Sequence, residues 1–454
     1  MMKRLLQLFL LFVSVSCAAQ PTGNSDNREI VFRSVNVLPM ETNTVLRNRD
    51  VLIKDGKIAA IGEGGKLKYG SNAHVINASG FYLMPGLAEM HAHVPPNDNV
   101  EAQKEVAKLF GLYGITTIRG MLGHPTHLAL RQMLQSGELW GPRFTTSGPS
   151  FNGQSVKSAD AAATLVRQQK EAGYDFLKLH PGLTVETFNA MANTAKEVGI
   201  PFAGHVSYDV GVWRAIEAGY ATIDHLDGFV ESLVPKEVQS EQTNGLFGMF
   251  IGDKADTTKI PALITALKQN NIWVVPTQAL AERWMSPVRT AEAMRAEPEM
   301  KYMPASTLNN WVTSKNNMAK NPAYNADAVN RFIDLRRKLI RECNKNGVGL
   351  LLGCDAPQVF NVPGISTHHE LQYLVDAGLS PYDALRTGTV NVGRFFNRPD
   401  MGVVKAGAVA DLVLLKANPL ENIANTKLIA GVMIGGRYLP ETEIASELKK
   451  LEKQ

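Results

Sequence analysis

Short apolar runs alternate with amphipathic stretches through the middle of the chain, while both ends carry strand-like patterns broken by turns. Residues 30–38 alternate in part between apolar and polar side chains, as a half-buried strand does. The runs 51–53 and 58–61 flank Asp55-Gly56-Lys57, the composition of a tight hairpin turn. Residues 74–77 form a further short strand, and 411–416 and 431–438 read as strands near the far end. Between about 81 and 399, apolar runs at 82–90, 115–119, 143–147, 176–180, 201–205, 221–225, 273–277 and 349–354 are separated by stretches such as 159–172, 185–198 and 330–346, whose apolar positions recur at helical spacing. Eight strands interleaved with helices predict an α/β fold, a closed (β/α)8 TIM barrel over 81–399. A small β-sandwich domain built from both termini, 30–80 plus 400–440, is expected beside it, with a C-terminal helical tail at 441–454. Two long polar insertions, 230–258 and 279–324, surround the seventh strand. They are expected at the C-terminal face of the barrel, where they can roof a site.

Composition narrows the class of protein. The chain has 454 residues and a net charge of +4, with its mild basic excess spread along its length. No basic run is interleaved with aromatics, so nucleic-acid binding has no support. Lys3 and Arg4 precede an apolar run at 5–15, and small residues follow at 14–19. That layout predicts a secretory signal over 1–19, too short for a membrane span of ~20 residues, then a linker over 20–29. Two readings of Cys17 stay open: a lipid-bearing cysteine that attaches the protein to a membrane, or a residue removed by cleavage after Ala19. Either way the protein is expected to be exported, periplasmic or membrane-anchored. Only Cys343 and Cys354 remain in the body of the chain, which excludes a disulfide framework.

Candidate chemistry lies at the ends of the expected strands. His91 and His93 are two apart, so period-two geometry puts both imidazoles on one strand face, able to reach one cation. His205 and His225 end two later strands, and Asp355 follows the apolar run 349–354. Four imidazoles and a carboxylate thus fall on the face where barrel enzymes keep their chemistry. Each histidine taken alone is as well read as an ordinary core or surface group. Lys178 sits inside the apolar run Phe176-Leu177-Lys178-Leu179. A buried lysine is costly. Reaction with CO2 to give an anionic carbamate that bridges two metal ions is one reason to keep it; an ion pair across the barrel is the alternative.

With these residues in place, the chain resembles the amidohydrolase superfamily, in particular its imidazolonepropionase- and Xaa-Pro-dipeptidase-related branch, from about residue 30 to 440. The segment Gly407-Ala408-Val409-Ala410-Asp411-Leu412-Val413 resembles that family's late strand signature. The resemblance implies two divalent metal ions, zinc by default for an imidazole-rich site. By it His91, His93 and Asp355 hold a buried ion, His205 and His225 a more exposed one, and carboxylated Lys178 bridges them. It also implies that Asp355 is catalytic, taking a proton from the attacking hydroxide and passing it to the leaving amine. Two positions depart from the family's pattern: Gly120, where relatives often carry aspartate, and Cys354, where they often carry threonine.

Specificity is expected from the loops. Tyr208, His180, Arg283 and His368 are the candidate substrate contacts, Arg283 as a holder of a substrate carboxylate. The expected partner is a small-molecule substrate with an amide, dipeptide or cyclic-amide bond, and a homo-oligomer is compatible with the sequence. Two alternatives remain: an esterase or lactonase using the same binuclear site, and a catalytically silent cell-surface binding barrel.

Overall fold

The computed structural model describes residues 29–453. The expected signal segment, Cys17 and the linker up to residue 28 lie outside the described residues. Among the described residues no helix is long and apolar enough to cross a membrane.

β1 (Ile30–Val37) pairs antiparallel with β2 (Leu46–Lys54), which turns back into β3 (Lys57–Glu63). Asp55 and Gly56 make that turn with φ of 50° and 70°, the left-handed pair that a two-residue hairpin needs. On its other edge β1 pairs in parallel with β4 (His74–Asn77) and then with β5 (Tyr82–Pro85).

The middle of the chain is parallel. β6 (Leu87–Ala92), β7 (Ile115–Gly120) and β8 (Arg143–Thr146) form one sheet. β9 (Leu177–Leu179), β10 (Phe202–Gly204), β11 (Thr222–Asp224) and β12 (Trp273–Val275) form another. Parallel neighbours need a crossover between them, and helices supply it: Val100–Leu112 after β6, Ala159–Glu171 after β8, Val185–Val198 after β9, Gly211–Ala218 after β10. Further hydrogen bonds tie these sheets together. Ser147 bridges to Phe176, and Val274 bridges to Leu350. Met90 N donates to Leu352 O at 2.8 Å, so the run 349–354 lies between β12 and β6. Buried Ile118, Phe144, Leu177, Ile223, Val274 and Leu352 share the large core of this region, each contributing roughly 1.5–3 kcal/mol by leaving water.

The chain returns to the first sheet through β13 (Leu412–Leu415), β14 (Ile429–Ile434) and β15 (Arg437–Pro440), with β13 antiparallel to β5. The result is an α/β fold with one mixed, eight-stranded sheet built from both ends of the described residues. Residues 30–33 pair with β4 and residues 36–37 with β5, so the sheet branches and remains one. It carries its own core of Phe32, Val35, Leu83, Leu412 and Met433. The helix Glu441–Lys450 closes the chain and buries Ile444.

Candidate metal centre

His91 lies near the end of β6, almost wholly buried. Its Nε2 is 3.4 Å from Lys178 Nζ and 3.6 Å from Asp355 Oδ1. His93, one residue past the strand, brings Nε2 to 2.7 Å from the same carboxylate oxygen. His225 follows β11, its ring centroid 4.4 Å from that of His91 and 4.4 Å from that of His205. Candidate ligand atoms of His91, His225 and Asp355 all lie within 4.8 Å of one another. The structure therefore brings together all six residues of the expected ligand set: His91, His93, Lys178, His205, His225 and Asp355.

Local backbone makes this convergence possible. His225, Thr277 and Asp355 have φ of 63°, 47° and 65°. Aspartate and histidine enter the left-handed region more readily than most residues, whereas β-branched Thr277 is strained there, and such strain concentrates at functional sites. Gly204 precedes His205 at φ 125°, and a Cβ there would lie 2.5 Å from Leu179 O and 2.9 Å from Lys178 Cδ. Only glycine lets the Lys178 stem pass.

The electrostatics favour neutral nitrogen donors. Burial pushes His91 and His225 well below the ordinary imidazole range, and pushes His205 down to about 3. Burial also pulls Lys178 down to about 8, against the attraction of Asp224 and Asp355. His225 Nε2 is buried without a hydrogen-bond partner among the described residues, and buried Asp355 Oδ1 meets the ring nitrogens His93 Nε2 and His91 Nε2. Buried polar atoms left unpaired cost on the order of 1–3 kcal/mol each. An orphaned imidazole nitrogen among converging imidazole and carboxylate atoms fits a divalent cation.

The other expected contacts separate. His180 stacks on His205 with centroids 5.0 Å apart, and burial and Lys178 push it down to about 2. Tyr208 is 38% exposed. Arg283 is 1% exposed and engaged elsewhere: it pairs with Glu297, donates to Phe360 O at 2.9 Å and reaches His369 Nδ1. His368 is satisfied on both nitrogens, by Tyr113 O at 2.9 Å and Thr426 Oγ1 at 3.0 Å.

Several residues around the cluster escaped the sequence reading. Asp224 Oδ2 lies 2.9 Å from His91 Nδ1, Asp227 Oδ2 3.0 Å from His205 Nδ1, and Thr277 Oγ1 2.8 Å from His225 Nδ1. Glu89, fully buried, accepts from His91 N at 3.1 Å, Cys354 N at 2.8 Å and Thr367 Oγ1 at 2.8 Å, so it joins the backbone of β6 to that of the run before Asp355. Asp224 and Glu89 are charged residues inside apolar strands, the same signal that marked Lys178. Asp227 and Thr277 lie in turns and carry no such signal.

A model of the amidohydrolase family matches residues 82–439. An adenine deaminase of Deinococcus deserti is 23% identical over 400 residues, covering 86% of this chain and 57% of its own length. Adenine deaminase 1 of a Jannaschia species is 29% identical over 219 residues, 43% of this chain and 36% of that relative. The chain thus spans less than two thirds of the length of these relatives. Among solved structures, a putative prolidase from Bifidobacterium longum superposes with a TM-score of 0.68 at 20% identity, covering 94% of this chain and 99% of the other. A bottromycin amidohydrolase superposes with a TM-score of 0.70 at 21% identity, covering 93% and 89%. At these identities the likeness is one of fold.

Proposed function

Because the chain belongs to the amidohydrolase family, we propose that it is a metal-dependent hydrolase of carbon–nitrogen bonds, working at one end of a closed (β/α)8 barrel. The barrel reading is supported by the Ser147–Phe176 and Val274–Leu350 bridges and the Met90–Leu352 hydrogen bond, which link the parallel sheets edge to edge.

The observation that carries the activity is the cluster of His91, His225 and Asp355, in which buried His225 Nε2 lacks a partner among the described residues. His91, His93 and Asp355 would hold one divalent ion and His205 and His225 a second, with Lys178 between them; zinc suits the donors. When bound, such ions lower the pKa of water from roughly 15.7 to about 7 and polarise a scissile carbonyl. Lys178, pulled down to about 8, keeps a share of neutral amine near neutral pH. That amine can add to CO2, forming an N–C bond and releasing one proton, to leave an anionic carbamate. Asp355 is the proton carrier in this reading. Its carboxylate faces the cluster beside His91 and His93, placed to take a proton from attacking water and return it to the departing nitrogen. His180 and the insertions would line the substrate's approach.

The test is metal analysis of the full chain, then an activity panel of dipeptides ending in proline, N-acyl amino acids, adenine and matched esters. We expect about two ions per chain, turnover of at least one carbon–nitrogen substrate, and loss of that turnover on chelation. Asp355→Asn should lower kcat by 10²-fold or more, a scale on the order of that for lost general acid–base catalysis, while its circular dichroism stays that of the wild type. Metal-replete protein that cleaves only the esters would overturn the carbon–nitrogen assignment.

A further inference from the structure

The insertion after β11 has a use that the ligand set does not account for. It begins with the short helix Phe229–Leu233 and later turns through Gly245, Phe247 and Gly248, at φ of 72°, 56° and 77°. The glycines are sterically required. A Cβ on Gly245 would lie 2.6 Å from Phe250 Cδ2, and one on Gly248 would lie 2.8 Å from Val230 Cγ1. Phe247 itself is a bulky residue held in the left-handed region, a strained conformation that the surrounding turn imposes.

What that turn delivers is a ring. Phe247 lies nearly parallel to His225, at 5.0 Å and 15°, and to His205, at 6.1 Å and 17°. The guanidinium of Arg336 sits 5.8 Å from the Phe247 centroid. Arg336 also donates to His225 O at 2.6 Å and to Pro276 O at 2.7 Å, so one buried arginine braces both the ring and the backbone beneath it. The Nδ1 edges of the two imidazoles are engaged by Asp227 and Thr277. The edges are fixed by hydrogen bonds and the faces by Phe247.

We propose that Phe247 is a positioning residue that clamps the His205–His225 pair in the orientation needed to hold an ion, and so sets how long that ion stays. The inference rests on the reading that these two imidazoles hold an ion at all. Aromatic stacking favours one tilt of each ring, and an apolar ring over the faces excludes water from them.

The experiment is zinc release from the full-length loaded protein into excess chromogenic chelator, with stoichiometry by elemental analysis. Wild type should release two ions in two phases. In Phe247→Ala one ion should leave about 10- to 100-fold faster, the range seen when a group that orients a ligand is removed, while the other keeps its rate. Phe247→Tyr, which keeps the flat face, should stay near wild type. Phe247→Leu keeps apolar bulk without a flat face and should also release fast, which covers the case where the alanine variant folds poorly. A purely structural role would lower the melting temperature of the metal-free variants and leave the ratio of the two release rates unchanged. Two ions leaving both the alanine and leucine variants at wild-type rates would overturn the clamp while the two-ion reading stood. A wild type that holds one ion or none would remove that reading and the clamp with it.

Discussion

At the scale of single residues, the imidazoles are defined by what their far edges touch. The Nδ1 atoms of His91 and His205 face carboxylates of Asp224 and Asp227. A proton placed on Nδ1 by such a partner leaves the Nε2 lone pair free as a donor. Asp224 is in turn held by Thr222 Oγ1 at 2.6 Å and by the buried Arg119. Asp224→Asn should therefore weaken zinc binding about 10- to 100-fold, read by competition against a chelator of known affinity. An affinity within twofold of wild type would show that Asp224 does not orient His91. The rule that a charge inside an apolar strand needs a reason picks out Lys178 from sequence, and applied evenly it picks out Asp224 as well. It cannot place Arg283. A loop arginine pointed at a substrate and one enclosed by Glu297, Phe360 O and His369 look the same in sequence, because the enclosing groups come from distant segments.

Elements show a similar limit. The apolar runs predict strands that reach His225 and Thr277, yet β11 stops at Asp224 and β12 at Val275. His225 and Thr277 have turned left-handed beyond those ends, which strand propensity does not encode. The helix Ile365–Asp376 illustrates how an element is pinned by buried polar groups. Its Thr367 reaches Glu89, and its Glu370 accepts from Gln278 N at 2.9 Å and from Ala279 N. His369 on the same helix offers Nδ1 to the Arg283 guanidinium at 3.3 Å, so a proton there would set two cations face to face. Burial first, and Arg283 second, push His369 down to about 2. The folded chain thus binds fewer protons than the unfolded chain below pH 6.5. Stability from this group is complete above pH 6.5 and is lost as pH falls toward 2, at about 1.4 kcal/mol per unit. His369→Gln, which keeps an acceptor for Arg283, lacks that loss. Urea denaturation should show the wild-type advantage over His369→Gln shrinking by roughly 2 kcal/mol between pH 7.5 and pH 5. A constant gap would mean that His369 takes up protons equally in both states.

For the whole molecule, the α/β class was legible because helical and strand periods alternate regularly through the middle of the chain. The strand order of the mixed sheet was not, since it depends on β5 lying between β1 and β13, a pairing across more than 300 residues whose register no local pattern specifies. That arrangement has a thermodynamic consequence. The candidate ligands come from β6, β9 and the segments just past β6, β10, β11 and the run 349–354, whereas the mixed sheet contributes none of them. It is joined to the parallel region by contacts such as the Arg143–Asp411 pair. Ions bound at the cluster would tie five segments of the parallel region together and stabilise it by mass action. At free metal near 100 Kd each ion adds about 2.7 kcal/mol, or roughly 5 kcal/mol for two. With an unfolding entropy of about 2.1 cal/mol/K per residue, a chain of this length should melt about 6 °C higher with metal than without. Calorimetry of apo and zinc-loaded protein measures this. If the mixed sheet unfolds as a separate transition, only the transition of the parallel region should move. Equal melting temperatures with and without zinc would mean that the clustered imidazole and carboxylate atoms are not metal ligands.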